Sequence, residues 1–583
     1  MPTPGPIPGP KRLVILGCSA DKVQSDSTLP AVSLYNGPTF RVLRNFLKAY
    51  RWPESLSIAV LSAKYGMIGG LSRIACYDQR MTPARAIELS DGVNKTLQQW
   101  GTSHARIDLV LGQDYLGSID RTGLPSVFPP MEIVEGPIGI KLNRLHGLLR
   151  SLELVAKPSR KLPELKRPLY FLPDWDDFLD VGFDFKRDAF SSTERATRHE
   201  EHSIALMRPR QLCDGVLVSL AQNLGTKGLL KRVAVADDSS LSPRSVRDHF
   251  KLEQTQWAFG DCGAFSYAGE DKPTISVDQA VSLYELHDFD LGASVDHIPL
   301  PEIQTEHGRQ TLTMSERRRR VSLTRDNAER FLRAHRERGA TFLPVGVIQG
   351  LGPRSYACQV ADYLDMGYGH LALGGLVPRS DADVRAIVDA VDRKLKRIGQ
   401  RPWIHLLGIF RPTLQPHFRE LGIGSFDSAS YFRKAWLRSD QNYLGVNGKW
   451  YAAIRVPPLG DPRTMKRMMG SGVDEATLLR LEREALKRLR AFDKGIIGLE
   501  RALTAVLEYD RLLSRSEEID DHLARSYRKT LEDRPWRGCS CPMCSIGIDI
   551  VIFRGINRNK RRGAHNTLRL FEQVAIPSAC GGS

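Results

Sequence analysis

A series of short apolar runs, each closing on a polar or very small residue, limits what this chain can build. They read AFGDCGAFSY with Asp261, LGASVDHI with Asp296, PVGVIQG with Gln349, LALGGL with Gly374 and Gly375, and IGSFDSAS with Asp427. A carboxylate at the end of a buried strand is costly to desolvate unless it is paired or put to use. Repetition of that arrangement, with helical segments between, predicts one site assembled from many strand tips.

From residue 169 onward eight candidate strands begin near Tyr170, Asp214, Gln256, Phe289, Phe342, His370, Trp403 and Ser425. Helical patterns cover 325–338, 354–366, 382–397 and 413–420. Eight strands with intervening helices are what a (β/α)8 barrel requires, and in that fold the carboxyl ends of the strands carry the chemistry. The expected barrel spans 169–459.

Other parts of the chain have different textures. Residues 1–10 read as a flexible Pro/Gly leader with no apolar segment of a signal peptide. Residues 11–154 alternate apolar strands (RLVILGCS, LSIAVLSAKYG, RIDLVLGQDYLG) with helical patterns near 39–50 and 83–99, which predicts a small, largely parallel α/β domain. Basic, proline-containing residues 155–168 are taken as a linker. Residues 460–530 carry amphipathic stripes, Leu478, Leu481, Ala485, Leu489 and Phe492 and then Leu499, Leu503, Val506 and Leu513, and are expected to be a helical insertion packed on itself or on the barrel.

The chain has 83 basic and 67 acidic residues among 583, a formal charge of +16. That balance suits a polyanionic partner, although a basic surface without one is equally compatible with composition. No apolar run approaches the length of a membrane span. Nine cysteines, unevenly spread, argue against a disulfide framework and for a reducing, cytoplasmic setting.

Cys539, Cys541 and Cys544 spell C-x-C-x-x-C, and His565 follows Cys544 by 21 positions. Three thiolates and an imidazole complete a tetrahedral zinc site with no open position, so the metal expected is structural. The residues 531–583 are read as the zinc-binding subdomain. The alternative is a set of buried free cysteines. His565 is less firmly indicated than the three thiolates.

The strand tips and the zinc motif together resemble the tRNA-guanine transglycosylase superfamily over roughly 168–575. DCGAFSY, GVIQG, LALGGL, SFDSAS and the C-x-C-x-x-C with its later His-Asn follow the family's order. LPDWDDFLDVGFDF (172–185) and FDSASYFRKAW (426–436) are similar to the DpdA branch, which inserts 7-deazaguanine bases into DNA. The Pro-Thr-Arg turn usual after the nucleophile of the tRNA enzymes is absent. Residues 11–154 resemble the DUF6884 family through GCSADK, LYNGPTF, LSAKYGMI and CYDQRM. That resemblance implies a fold but no activity; Lys64, Tyr65 and Asp78 either line a polar crevice at strand ends or serve as turn and packing residues.

The resemblance implies that Asp427 is the nucleophile, holding the sugar covalently, and that Asp261 moves protons to and from the bases. Such a carboxylate pair suits the oxocarbenium-like transition state of glycosidic cleavage. Asp296 and Gln349 suit the edge of a guanine-like base, Gly374 and Gly375 allow close backbone approach, and Phe265 or Tyr267 offers a stacking ring; salt-bridging, barrel packing and core filling are the plainer alternatives. Basic segments Arg317–Arg320, Arg463–Arg467 and NRNKRR (557–562) are candidate phosphate contacts, the last foremost because zinc ligands flank it in sequence. The expected activity is exchange of guanine in DNA for preQ0, a 7-deazaguanine. The resemblance also suggests a partner ATPase and leaves a homodimer through the zinc region open. A tRNA enzyme and a non-catalytic nucleic-acid binder are the competing readings.

Overall fold

The computed structural model describes residues 10–120, 128–157, 160–163, 167–221, 240–305, 308–437, 440–468, 472–513 and 521–575, without the side chains of Arg463, Arg467, Met468, Leu513 and Asp521. The leader through residue 9 and part of the linker lie outside the described residues. The chain divides into two compact units. One holds Met1–Glu164, Val218–His249 and Ala258–His405; the other holds Leu165–Leu217, Phe250–Trp257 and Leu406–Ser583.

In the first unit, the five-stranded N-terminal sheet contains β1 (Arg12–Gly17), β2 (Leu56–Ser62), β3 (Gly66–Gly69), β4 (Arg106–Val110) and β5 (Met131–Ile133), in the order β3-β2-β1-β4-β5. All pairs are parallel except β2 with β3. Every residue of β2 is buried, as befits a strand covered on both faces. Helices Pro38–Ala49, Pro83–Gly101 and Ile138–Arg150 accompany the sheet. Within this unit the sheet domain is joined to helix Val277–Leu286: Ser282 donates to Ser33 at 2.6 Å, and Gln279 to the Thr28 carbonyl at 2.9 Å. Ser276 starts that helix with a reciprocal capping box to Gln279.

Eight strands form a closed parallel barrel in chain order: β6 (Leu169–Pro173), β7 (Gly215–Ser219), β8 (Trp257–Asp261), β9 (Leu291–Ala293), β10 (Leu343–Ile348), β11 (His370–Leu373), β12 (Trp403–Leu406) and β13 (Ser425–Asp427). β6 closes the ring between β13 and β7, with Phe171 opposite both Asp427 and Gly215. This is the (β/α)8 architecture expected from the sequence, with helices between strands.

Carboxylates ahead of the strands have structural partners. Asp290, before β9, accepts the Ala258 N–H at 2.8 Å and faces Arg247 at 2.6 Å. Asp214, before β7, takes two guanidinium bonds from Arg167 and the Tyr170 N–H. In a barrel of this kind the amino ends secure the fold, whereas the carboxyl ends are available for chemistry.

One helix is longer than the pattern predicts. It runs from Met314 to Arg338 rather than 325–338, capped by the Thr313 side chain on Glu316 N–H. Four consecutive arginines obscure its apolar face. Arg320 nonetheless sits on that face, buried, donating to the carbonyls of Ala268 and Ile298 and to Glu316. Its stem packs while its head is fully hydrogen-bonded.

The second unit adds helices Pro462–Met468, Glu475–Asp493, Leu499–Leu513 and Asp521–Asp533. The second and third pack together. Leu478, Ala485, Leu489 and Phe492 are buried, with Leu503 and Val506 from the facing helix. No helix among the described residues is long and apolar enough to cross a membrane.

Candidate functional site

Asp261 is the last residue of β8, and its carboxylate accepts the Gly263 N–H at 2.9 Å. Asp296 lies three residues beyond β9 and is buried. Ligating atoms of Asp261, Cys262 and Asp296 all lie within 4.8 Å of one another. Cys262 Sγ donates to one Asp296 oxygen at 2.8 Å, and Gln349 Nε2 donates to the other at 2.6 Å. Burial pushes the Asp296 carboxyl above its usual range, and these two hydrogen bonds only partly oppose it. Tyr267 caps the cluster, donating to the Asp296 carbonyl at 2.9 Å.

Gln349 follows β10 and is buried, and its Oε1 has no hydrogen-bond partner. Gly374 and Gly375, following β11, make room for it. A Cβ on Gly374 would lie 2.2 Å from Gln349 Nε2, and one on Gly375 would lie 2.7 Å from Oε1. Gly375 also has φ +67°, a conformation that disfavours other residues. Tyr356 donates to the Gly374 carbonyl at 2.7 Å, and Gln359 to the Gln349 carbonyl at 2.7 Å, so this wall is held from behind. Phe265 stands on the Ala264–Tyr267 turn with its ring 54% exposed, while Tyr267 is buried and braces Asp296.

In the second unit, Asp427 ends β13 and is buried; its Oδ1 accepts the Gly408 N–H at 2.7 Å. Next to it in sequence, the Ser428 carbonyl accepts the Tyr170 hydroxyl at 2.8 Å, and the Phe426 ring lies between Tyr170 and Phe410, 5.4 Å from each. These contacts fix the end of β13.

The four predicted metal ligands converge. Cys539 and Cys541 lie in the loop before the short helical segment Pro542–Val551, Cys544 within it, and His565 in helix Gly555–Ala575. All four are buried. His565 Nδ1 lies 3.6, 3.5 and 3.3 Å from the sulfurs of Cys539, Cys541 and Cys544. With metal–sulfur and metal–nitrogen bonds of about 2.3 and 2.0 Å, a tetrahedral zinc separates sulfur from nitrogen by roughly 3.5 Å. The donor set therefore fits zinc in both chemistry and spacing. His565 Nε2 reaches the Leu444 carbonyl at 2.8 Å, which directs Nδ1 toward the thiolates. Tyr443 stacks on the imidazole at 4.2 Å, and Arg569 approaches Cys539 Sγ at 3.6 Å.

A protein of Salmonella montevideo named DNA-guanine transglycosylase is 35% identical over 407 residues, 70% of this chain and 96% of that protein. The chain belongs to the tRNA-guanine transglycosylase superfamily. A tRNA-guanine(15) transglycosylase of Haloarcula marismortui is 27% identical over 192 residues, 32% of this chain and 36% of that one. No family model matches the chain. Membership makes this a transferase of the pentosyltransferase kind.

In this transglycosylase the 557–562 run serves mainly the fold, which corrects its reading as the foremost phosphate contact, whereas 317–320 is divided, with Arg320 buried and Arg318 and Arg319 exposed. In 557–562, Arg562 is buried and donates to the carbonyls of Ala435 and Ile550; Arg558 is buried against Asp549 and Asp188; Lys560 donates to the Phe178 carbonyl. In 317–320, Arg317 donates to the Pro299 carbonyl and Arg319 to Asp271 and Glu316, leaving Arg318 as the exposed member without such a bond among the described residues. The ends of the third run, Arg463 and Arg467, have side chains outside the described residues. A run of positive charge reads as surface only until the carbonyls of distant segments are brought to it.

Three groups escaped sequence reasoning. Cys262 is the first, although its place one residue beyond a strand tip is a usable signal. Tyr356 has no local signal. The third is a buried cluster in which His202 donates to Asp177 at 2.6 Å and Ser203 donates to its second oxygen. Burial alone raises the Asp177 carboxyl, but His202 and the two hydrogen bonds outweigh it and hold it low.

Proposed function

We propose that this chain is a DNA-guanine transglycosylase that replaces guanine in DNA with preQ0 or a related 7-deazaguanine. The observation that carries the reading is its likeness to the Salmonella montevideo DNA-guanine transglycosylase over nearly all of that protein. The stretches 172–185 and 426–436 support the DpdA branch, with 11–154 a DUF6884-like domain ahead of the barrel. A partner ATPase and a homodimer belong to the same reading.

Asp427 attacks C1′ of the target deoxyribose. The C1′–N9 bond breaks, its electron pair stays with guanine, and protonated Asp261 delivers a proton to the leaving base. The sugar is then esterified to Asp427. Incoming preQ0 gives its N9 proton to the Asp261 carboxylate, and N9 displaces Asp427 from C1′, so two inversions retain configuration. The Gly408 N–H orients the Asp427 carboxylate for this role. Asp296 accepts the N–H donors of the base edge, and the unpartnered Gln349 Oε1 supplies a further acceptor. Phe265 is exposed enough to stack on a base. The base is flipped or already unpaired, at a cost of a few kcal/mol. Zinc on Cys539, Cys541, Cys544 and His565 is structural and takes no part in the exchange.

Release of labelled guanine from DNA on addition of preQ0, with the partner ATPase present, is the deciding assay. Labelled guanine retained in DNA sinks the proposal. Asp427→Ala and Asp261→Asn variants bind DNA but do not exchange, and a denaturation-resistant protein–DNA adduct forms when the incoming base is withheld. Exchange on tRNA alone would favour the second reading, which the partial likeness to the Haloarcula marismortui enzyme supports. Binding without exchange on either substrate would favour a non-catalytic binder.

A further inference from the structure

The N-terminal sheet carries chemistry that base exchange leaves unused. β2 and β4 pair with opposite edges of β1, so the winding of the chain reverses at β1. In an open parallel sheet such a reversal opens a crevice beyond the carboxyl ends of the strands. Polar groups from three strand tips meet there. Cys18 follows β1, and its Sγ lies 3.1 Å from the Tyr115 hydroxyl beyond β4 and accepts the Ala63 N–H at 3.4 Å. Ser62 ends β2; its Oγ accepts the N–H groups of Lys64 and Tyr65 at 3.2 and 3.1 Å and lies 2.8 Å from the Tyr77 hydroxyl. The hydroxyls of Tyr77 and buried Tyr35 are 2.7 Å apart.

This network fixes the Tyr77 ring, and two ammonium groups converge on it. Lys22 Nζ lies 4.4 Å and Lys64 Nζ 5.6 Å from its centroid. Neither lysine is in an ion pair among the described residues. An aromatic face attracts a cation but does not neutralise it. The tyrosines supply no counter-charge either: burial pushes the Tyr35 hydroxyl up to about 12, and the Tyr77 hydroxyl rises for the same reason. Of the nearby charges, Asp21 is engaged by Arg41 at 3.2 Å, and Arg85 donates to the Ala63 and Lys64 carbonyls. Beside the lysines, Tyr65 is 38% exposed, its ring stands at right angles to that of Tyr77, and Lys64 Nζ lies 5.4 Å from its centroid. Asp78, expected from sequence beside Lys64 and Tyr65, contributes nothing to this network; Lys22 and Tyr77 do.

We propose that the tips of β1 and β2 form a second ligand site, for a phosphorylated nucleoside whose phosphate meets Lys22 and Lys64 and whose base lies against Tyr65. A phosphate beside a base occurs both in a free nucleotide and in a nucleic-acid strand, and the test separates these sources.

Full-length protein is acetylated at its amines with GMP, guanosine, inorganic phosphate or a short single-stranded oligodeoxynucleotide present, and each lysine is read by peptide mass spectrometry. GMP is expected to protect Lys22 and Lys64 several-fold while leaving exposed Lys186 unchanged. The double variant Lys22→Ala, Lys64→Ala is expected to bind GMP about tenfold or more weakly, as loss of charge-assisted bonds implies. Protection by GMP alone identifies a free nucleotide, and protection by the oligonucleotide identifies strand phosphates. Equal protection by guanosine overturns the phosphate assignment. Unchanged acetylation of both lysines with every probe overturns the site, as does undiminished GMP binding by the single variant Lys64→Ala together with the double variant.

Discussion

Gln349 donates its amide to Asp296 at 2.6 Å, from a site whose shape is set by two glycines just beyond the neighbouring strand. The acceptor carboxylate and the donor amide are 53 residues apart and both buried. Gly374→Ala and Gly375→Ala are expected to push the amide away from Asp296. Gly375→Ala also incurs about 1–3 kcal/mol of backbone strain at its positive φ. Both variants should therefore raise KM for the incoming base, with the greater loss of Tm in Gly375→Ala. Steady-state kinetics and thermal melts check this; an unchanged KM in both would show that Gln349 is not positioned by these glycines.

Asp296 gives a pH signature. Its carboxyl is raised above the usual 3.8 by burial. A carboxyl raised on folding contributes stability below its unfolded value and loses that contribution as pH climbs through the folded value. Asp296→Asn cannot titrate. The difference in Tm, parent minus variant, is therefore expected to fall as pH climbs from the usual carboxylate value toward neutrality. A difference that stays flat over that range would refute the assignment.

Metal removal should unfold the carboxyl-terminal part of the chain before the rest. Its thiolates and imidazole are buried together with no disulfide among them, and without a cation the thiolates repel. Metal analysis of purified protein is expected to find one zinc per chain, and Cys544→Ser to lose it together with several kcal/mol of stability. Full stability after exhaustive chelation would count against a structural metal.

Arg562 distinguishes a structural arginine from a phosphate contact. It is fully buried, and burial lowers its guanidinium to about 9. Arg562→Ala leaves the Ala435 and Ile550 carbonyls without this donor and should cost about 3 kcal/mol. The salt dependence of DNA binding should be unaltered, whereas loss of a true phosphate contact reduces the slope by about one. Titrations at several salt concentrations, run on variant that remains folded at low temperature, decide between the two.

Much of the architecture was legible from local pattern. Apolar runs of strand length, spaced by helical segments, predict eight barrel strands because burial of each strand is written into its own residues. The C-x-C-x-x-C spacing likewise announces a metal loop, since three thiols so close in sequence cannot be far apart in space. What each polar side chain touches was decided by tertiary structure. Arg320, Arg558 and Arg562 read as surface charge, yet lie buried against carbonyls and carboxylates. Cys262, Asp296 and Gln349 meet across long sequence separations. Periodicity reports which face of an element is buried, but a hydrogen bond needs a partner at 3 Å or so. Only closure of the fold brings that partner from another element.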